Sequence, residues 1–170
     1  MQWDAAKADR LTAPGRGPGR HQLERLPRRT STCQVPQPVP GEPGLVTVDT
    51  TWGTISPLQL APGVRTVGEL EVIDHIAAGL PLVDTRLAHF YREGTIPTAR
   101  NIPHEQIDKS INALDTRAPT IFFCNGPQCA ATPGAIHSLL ASGYPPESIH
   151  YYRGGIHDWM TLGLPLQLRG

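Results

Sequence analysis

The sequence predicts an α/β protein whose mainly parallel sheet is covered by helices on both faces. Short apolar runs alternate with amphipathic stretches from about residue 64 to the end. The connections are short, and such alternation favours parallel strands joined by crossover helices. The run TIFFC, residues 120–124, holds β-branched and aromatic residues without a charge. This composition is typical of a strand that is buried on both faces.

The first half of this region predicts two helices and two strands. Residues 67–80 carry apolar side chains at helical spacing, and 81–86 (PLVDTR) resemble a buried strand that ends in polar residues. Residues 87–94 (LAHFYREG) predict a short helix stopped by Gly94, and 99–103 (ARNIP) predict a brief strand. One face of the first helix is expected to be buried: Leu70, Ile73, Ile76, Ala77 and Leu80.

The second half continues the alternation. Residues 104–114 (HEQIDKSINAL) and 133–143 (PGAIHSLLASG) predict helices on either side of the TIFFC strand. Residues 148–155 (SIHYYRGG) predict a last strand, and 156–163 (IHDWMTLG) predict a last helix. The side chains expected to face inward from the first two of these helices are Ile107, Ile111, Leu114, Ile136, Leu139 and Leu140.

Residues 1–44 differ in composition and predict a disordered tail. They hold seven Pro, five Gly and seven Lys or Arg against four Asp or Glu. The alternate prolines of VPQPVPGEPG are expected to exclude helix and ladder pairing, so the segment buries too little to offset its ordering entropy. The chain is therefore divided into this tail, a lead-in segment at 45–64 and one domain at 65–170. Cys33, in the tail, is expected to be incidental.

Charge balance and cysteine count narrow the partners and the compartment. Lys plus Arg and Asp plus Glu number 15 each, so neither nucleic acid nor an anionic membrane is expected as a partner. Three cysteines do not make a disulfide framework, and the first residues lack the apolar stretch of a secretion signal. The expected location is the reducing cytoplasm, where a cysteine pair is more often catalytic or metal-binding than structural. The oligomeric state stays open.

The loop CNGPQCA, residues 124–130, is the candidate site. Ligands of an open α/β sheet bind beyond the carboxyl ends of its strands, where Cys124 falls. Thr132 and Pro133 are expected as the N-cap and first residue of the next helix. Loop amides and the helix terminus would then favour a thiolate at Cys124. The alternative is an inert cysteine that packs as a small buried residue.

Two chemistries that use such a cysteine are disfavoured. A cysteine phosphatase needs an arginine six positions after its nucleophile, where this chain has Ala130. No Arg or Lys lies between Arg117 and Arg153 to replace it. A zinc site usually takes ligands about two to four residues apart, and Cys124 and Cys129 are spaced more widely. Sulfur transfer or thiol redox chemistry remains, and neither a metal nor another cofactor is expected.

From about residue 66 to 166 the chain resembles a single-domain rhodanese, which is a sulfurtransferase. Four segments carry the resemblance in the family's order: PLVDTR, REGTIPTARNIP, IFFCNGPQC and YYRGGIHDWMTLGLP. The second is similar to the family's Gly-His-Ile-Pro-Gly-Ala segment, and the last to its closing Gly-Gly-x-x-x-Trp-x-x-x-Gly-x-Pro segment. The resemblance implies a five-stranded, mainly parallel sheet between helices.

The resemblance also implies a thiosulfate sulfurtransferase-like mechanism. Cys124 falls on the family's catalytic cysteine, which takes the outer sulfur of a donor such as thiosulfate as a persulfide and passes it to cyanide or a thiol. The implied partners are a small sulfur donor and a thiol acceptor, such as a thioredoxin-like protein or a low-molecular-weight thiol. Asp84 and Arg86 fall on the family's Asp-x-Arg and would support the loop. The persulfide would lie among six loop residues: Asn125, Gly126, Pro127, Gln128, Cys129 and Ala130.

Departures from the family pattern leave alternatives open. Thiosulfate-using members often carry Arg or Lys in the loop, and here it has neither, so it should hold a dianion weakly. Thr95 also stands where the family has its usual His. Cys129 either attacks a persulfide on Cys124 or packs the loop against the sheet, and packing is favoured. Two rival functions are a rhodanese fold kept for protein contacts and a Cys124/Cys129 thiol–disulfide switch.

Overall fold

The computed structural model describes residues 56–168 together with Gln37–Pro38, Gly41 and Val46–Thr47. Predictions for the remaining positions, which include most of the tail and Cys33, lie outside the described residues.

One short pairing falls within the region predicted as tail and lead-in. Gln37–Pro38 (β1) pairs antiparallel with Val46–Thr47 (β2). The expectation that alternate prolines exclude ladder pairing is wrong at this point. Proline lacks an N–H but keeps a carbonyl that can accept, which leaves room for a ladder of two residues.

A five-stranded parallel sheet forms the centre of the protein, which confirms the predicted fold class. Its strands are Arg65–Val67 (β3), Leu82–Asp84 (β4), Arg100–Asn101 (β5), Thr120–Phe123 (β6) and Ile149–Tyr152 (β7). They lie in the order β3-β7-β6-β4-β5, and every pairing is parallel. Strand β3 was not identified from the residues, since only Val67 of its three side chains is buried.

Helices cover both faces of this sheet. They are Glu69–Ala77 (α1), Ala88–Glu93 (α2), Ala131–Ala141 (α3) and Gly155–Thr161 (α4). Side chains alternate along β6: Phe122 joins a cluster that includes Ile136 of α3, whereas Phe123 joins one that includes Trp159 of α4. Because neighbouring strand residues point to opposite faces, the two clusters are the two halves of the core. No helix in the described part of the chain is long and apolar enough to cross a membrane.

The buried face of α1 differs from the predicted one. Leu70 is 78% exposed and Ile73 is 40% exposed, while Val72 and His75 are buried. The Glu71 carboxylate accepts from the backbone N–H of Gly68 at 2.8 Å, which orients the first turn. The prediction failed because apolar residues lie on both sides of this helix. The polar His75 that does face inward pairs its Nε2 with the Pro81 carbonyl at 2.8 Å.

The predicted helix at 104–114 is instead two 3-10 segments, His104–Gln106 and Asp108–Ala113. Its inward residues are largely right, because Ile107 and Leu114 are buried and Ile111 packs against the core. Asp, Ser and Asn side chains within DKSINA compete for backbone hydrogen bonds, which weakens a regular helix.

Candidate active site

Cys124 follows the central strand β6 directly, and the start of α4 holds the loop that it opens. The carbonyl of Cys124 accepts from the N–H of Ile156 at 3.0 Å, and that of Asn125 accepts from the N–H of His157 at 2.8 Å. Gly155 approaches the Cys124 carbonyl so closely, with φ +59°, that a Cβ there would overlap it. The absence of a side chain at Gly155 thus lets the start of α4 pack against the first residues of the loop.

The lead-in chain fastens the far side of the loop. The N–H of Ser56 donates to the Pro127 carbonyl at 2.7 Å, and Arg153 Nε donates to the Ser56 carbonyl at 2.9 Å. Within the loop, the N–H of Cys129 donates to the Gly126 carbonyl at 3.0 Å and turns the chain back on itself. Ser56 was missed from the sequence, since no motif surrounds it and its partner lies far along the chain.

A pair of buried threonines joins the loop to strand β4. The hydroxyls of Thr85 and Thr132 lie 2.7 Å apart, and Thr85 Oγ1 donates to the Phe123 carbonyl at 3.0 Å. Helix α3 begins at Ala131, so Thr132 is not the N-cap that the sequence predicted. Its side chain turns toward the sheet because Thr85 offers a buried partner. Thr85 was also missed, although it lies between the two residues of the Asp-x-Arg motif.

Asp84 and Arg86 form a buried ion pair beside the segment that follows α2. Arg86 Nη2 donates to Asp84 Oδ2 and to the Gly94 carbonyl, each at 2.6 Å. Thr95 Oγ1 donates to Asp84 Oδ2 at 2.8 Å. These contacts hold residues 94–95 in place. The side chains of Asp84 and Arg86 therefore support the cysteine loop only indirectly, through the end of β4. The Arg86 guanidinium is committed to this pair rather than offered to a ligand.

The six loop residues predicted as a persulfide cradle are brought together, with graded exposure. Asn125 and Gly126 are buried, and Pro127 and Cys129 are half-buried. Gln128 and Ala130 are exposed. The nearby cation Arg153 is engaged with Ser56. Among the residues that the structure describes, there is no group of three His, Cys, Asp or Glu arranged to hold a metal ion.

The two loop cysteines are free and contact each other. Cys124 is 1% exposed, whereas Cys129 is half-buried. The Cys124 S–H donates to the Cys129 carbonyl oxygen at 3.6 Å, and the Cys129 side chain lies close enough to shift the pKa of Cys124. Cys129, which the resemblance placed in the loop, lies beside Cys124, and the sequence left open whether it attacks a persulfide or packs the loop.

The two thiols differ in acidity, and the lower pKa of the pair belongs to Cys129. Burial raises the pKa of the Cys124 thiol well above its usual value, and the hydrogen bond to Cys129 adds to the rise. That bond lowers the pKa of Cys129 to about 6, with further help from the amides of Asn125 and Ala131 and the charge of His104. The loop amides of Asn125 and Ala131 thus act on Cys129, which is the more exposed of the two sulfurs.

Two further residues surround the thiols. The N–H of His104 donates to the Thr85 carbonyl at 2.9 Å, which brings the ring near Cys129. Burial raises the pKa of the Tyr151 hydroxyl to about 12, so this side chain stays neutral. From the sequence, His104 was a candidate to supply a proton or a positive charge, with a solvated surface histidine favoured, and no role was predicted for Tyr151.

Comparison with known proteins agrees with the fold. A profile described as "Rhodanese-like domain" matches residues 70–162, which is more than half of the chain. The HTH-type transcriptional regulator Rv0324 of Mycobacterium tuberculosis is 28% identical over 90 residues. That match covers 53% of this chain and 38% of the regulator, so the chain spans well under half of this relative.

Solved structures show the same fold. The BH2092 protein of Bacillus halodurans is 25% identical with a TM-score of 0.55, covering 62% of this chain and 77% of its own. A thiosulfate sulfurtransferase of Pseudomonas aeruginosa is 21% identical with a TM-score of 0.55, covering 66% of this chain and 22% of its own. A rhodanese-related protein of Thermoplasma volcanium is 20% identical with a TM-score of 0.50, covering 61% of this chain and 98% of its own. With a family profile over most of the domain, a five-stranded parallel sheet and a cysteine loop after its central strand, this chain belongs to the rhodanese-like domain family.

Proposed function

We propose that the protein is a sulfurtransferase that carries sulfane sulfur as a persulfide on Cys124. The observation that carries the proposal is the position of this thiol at the end of β6, inside a loop fastened by α4 and Ser56. A fastened loop presents a nucleophile in a fixed geometry, which lowers the entropic part of the barrier. Membership of the rhodanese-like family supports the same chemistry.

The contact between the two thiols supplies the proton acceptor for the first step. Burial raises the pKa of Cys124, and Cys129, whose pKa is lowered, lies beside it with its carbonyl oxygen 3.6 Å from the Cys124 sulfur. As the Cys124 sulfur attacks the outer sulfur of the donor, its proton passes to Cys129. The donor's inner group leaves with the bonding electrons, as sulfite from thiosulfate or as a thiolate from a small persulfide. An acceptor thiol or cyanide then takes the outer sulfur.

The loop favours a small persulfide over thiosulfate as the donor. Its seven residues, 124–130, include no cation, and Arg86 and Arg153 are engaged elsewhere. A thiosulfate dianion would be held without the charge-assisted contacts that are worth about 1.5–3 kcal/mol each. A persulfide group carries at most one negative charge, so its binding depends less on positively charged contacts from the loop.

The test follows sulfur from donor to product under anaerobic conditions. The reduced protein is mixed with thiosulfate or with cysteine persulfide, and the sulfur recovered as thiocyanate, sulfide or protein-bound persulfide is measured. We expect Cys124-dependent transfer that is faster from the persulfide. The Cys124→Ser variant should transfer none, while Cys129→Ser should still gain one sulfur atom in intact mass. If the folded wild-type protein takes sulfur from neither donor, the sulfurtransferase proposal is wrong. A role as a protein-interaction module would then remain.

A second candidate function is a thiol–disulfide switch, which the contact between Cys124 and Cys129 favours. The related domain in a protein described as a transcriptional regulator is consistent with a sensing role. Such a switch would close under mild oxidant without any sulfur donor. The distinguishing measurement is therefore the rate of disulfide formation with hydrogen peroxide against the rate with cysteine persulfide in the absence of oxygen.

A further inference from the structure

The loop returns the second cysteine to the first. The turn closed by the N–H of Cys129 and the Gly126 carbonyl at 3.0 Å folds the chain back beneath the sulfur of Cys124. Cys124 Sγ then lies 3.6 Å from the Cys129 carbonyl oxygen, and the Cys129 side chain is close enough to shift the pKa of Cys124. A packing role alone would be filled by any small apolar side chain, and it would not require a thiol at this contact.

The surroundings of Cys129 favour its nucleophilic form. The backbone amides of Asn125 and Ala131 donate to its sulfur, and His104 lies near enough to add positive charge. The thiolate is the reactive form of cysteine in exchange reactions. Amides that would otherwise cradle the outer sulfur of a persulfide are thus directed at the sulfur of Cys129.

Access to the buried sulfur favours an internal acceptor. Cys124 is 1% exposed, and a Cβ added at Gly126 would lie only 3.0 Å from His157, which shows how closely α4 approaches the loop. On the other side of the loop, the N–H of Ser56 donates to the Pro127 carbonyl and holds the lead-in chain against the loop. An external thiol must enter this enclosure to reach the inner sulfur of a persulfide, whereas Cys129 is already in contact with it. Such proximity raises the rate of attack by Cys129 many-fold over that of an external thiol.

We propose that Cys129 resolves the Cys124 persulfide, so that the protein releases its sulfur as sulfide and is regenerated by a dithiol. This step rests on the sulfurtransferase function proposed above. The Cys129 sulfur bonds to the Cys124 sulfur, and the bond from Cys124 to the outer sulfur breaks. The bonding electrons and the thiol proton of Cys129 go to the outer sulfur, which leaves as hydrosulfide. The two cysteines are oxidised to a disulfide, and the transferred sulfur is reduced.

The cycle closes with a dithiol reductant, a small dithiol or a dithiol protein. It attacks the Cys124–Cys129 disulfide, returns both cysteines to thiols and is itself oxidised to a disulfide. The acceptor class is therefore a dithiol that supplies two electrons, rather than a monothiol that carries sulfur away.

The experiment compares single turnovers without added thiol. Wild-type and Cys129→Ser proteins, both carrying Cys33→Ser so that only the loop thiols report, are reduced, desalted and mixed anaerobically with one equivalent of cysteine persulfide. In the wild type we expect about one equivalent of sulfide and an internal disulfide mapped to Cys124 and Cys129. In Cys129→Ser we expect a retained sulfur atom and about a tenfold or greater loss of sulfide release. Dithiothreitol should then restore a second turnover in the wild type.

Three outcomes would overturn the inference. A stable sulfur gain in the wild type without sulfide leaves the proposed sulfurtransferase intact and removes the resolving role of Cys129. A disulfide that forms equally fast without the donor makes the pair a simple redox couple. Absence of both sulfur gain and sulfide in the two folded proteins removes the sulfurtransferase function and this step together. Matching urea unfolding curves for the two proteins ensure that loss of structure does not explain a difference.

Discussion

The hydroxyl of Thr85, at the end of β4, lies 2.7 Å from the hydroxyl of Thr132 in the first turn of α3. Both side chains are fully buried, and Thr85 also donates to the Phe123 carbonyl just before Cys124. This contact fixes the position of α3 relative to the central strand β6. The cysteine loop connects these two elements. Two residues that carry no chemistry of their own therefore set the geometry of the thiols.

Replacement of Thr85 by Val should destabilise the protein and loosen the loop. Valine keeps the volume but leaves the buried Thr132 hydroxyl without this partner, which costs about 1–3 kcal/mol of unfolding free energy. Urea denaturation measures the change. The double variant Thr85→Val/Thr132→Val is the matched control, because removal of both hydroxyls should recover part of the loss. Additive losses would contradict the assigned contact.

The reactivity of Cys129 should follow an acidic thiol. With its pKa lowered to about 6, the rate of alkylation by iodoacetamide should rise as pH increases through 6 and level off above about 7. Mapping of the alkylated peptide separates Cys129 from the other cysteines. The sign follows from ionisation, because the thiolate reacts and deprotonation is complete once pH exceeds the pKa.

The Cys124→Ala variant tests the cause of that shift. The hydrogen bond from Cys124 is the largest factor that lowers the Cys129 pKa, so its removal should move the alkylation midpoint up toward the usual thiol value of about 8.5. A midpoint near 8.5 in the wild type, or no movement in the variant, would contradict the coupling between the two thiols.

Gly155 should not tolerate a side chain. Its φ of +59° is unfavourable for other residues, and an added Cβ would overlap the Cys124 carbonyl and the backbone of Asn125. Gly155→Ala should lower the unfolding free energy by about 1–3 kcal/mol and impair persulfide formation. Gly134→Ala is the control, since open space surrounds that helical glycine and alanine should be neutral or stabilising there. Equal effects of the two substitutions would refute the close approach.

Thr98 carries a backbone strain that glycine should relieve. It adopts φ 70°, in the left-handed region that β-branched residues avoid, at a position where the family's segment has glycine. Its N–H donates to Gln167 Oε1 at 3.2 Å, a contact that glycine keeps. Thr98→Gly should therefore stabilise the protein by about 1 kcal/mol in urea denaturation. Thr98→Ala retains the Cβ and should gain less, so equal gains would argue against strain.

The sequence was sufficient for the architecture because strand and helix signals are local. The apolar run of β6, the glycine that ends α2 and the closing glycine pair each act within a few residues, so their places were predicted correctly. The errors arose where local pattern was ambiguous. Leu70 and Val72 are equally apolar, and only packing against the sheet decides that Val72 is buried.

The chemistry of the site was decided by tertiary structure. The sequence by itself determined that a cysteine would stand after the central strand, and it left the role of Cys129 open. The fold then buried Cys124, turned Cys129 back toward it and directed two backbone amides at the sulfur of Cys129. Ionisation depends on burial and on the geometry of the loop, which hydrogen bonds from Ser56 and Ile156 hold in place. The burial of Cys124 and the position of His104 depend on residues that are far apart in sequence, so no local pattern encodes which of the two thiols is the more acidic.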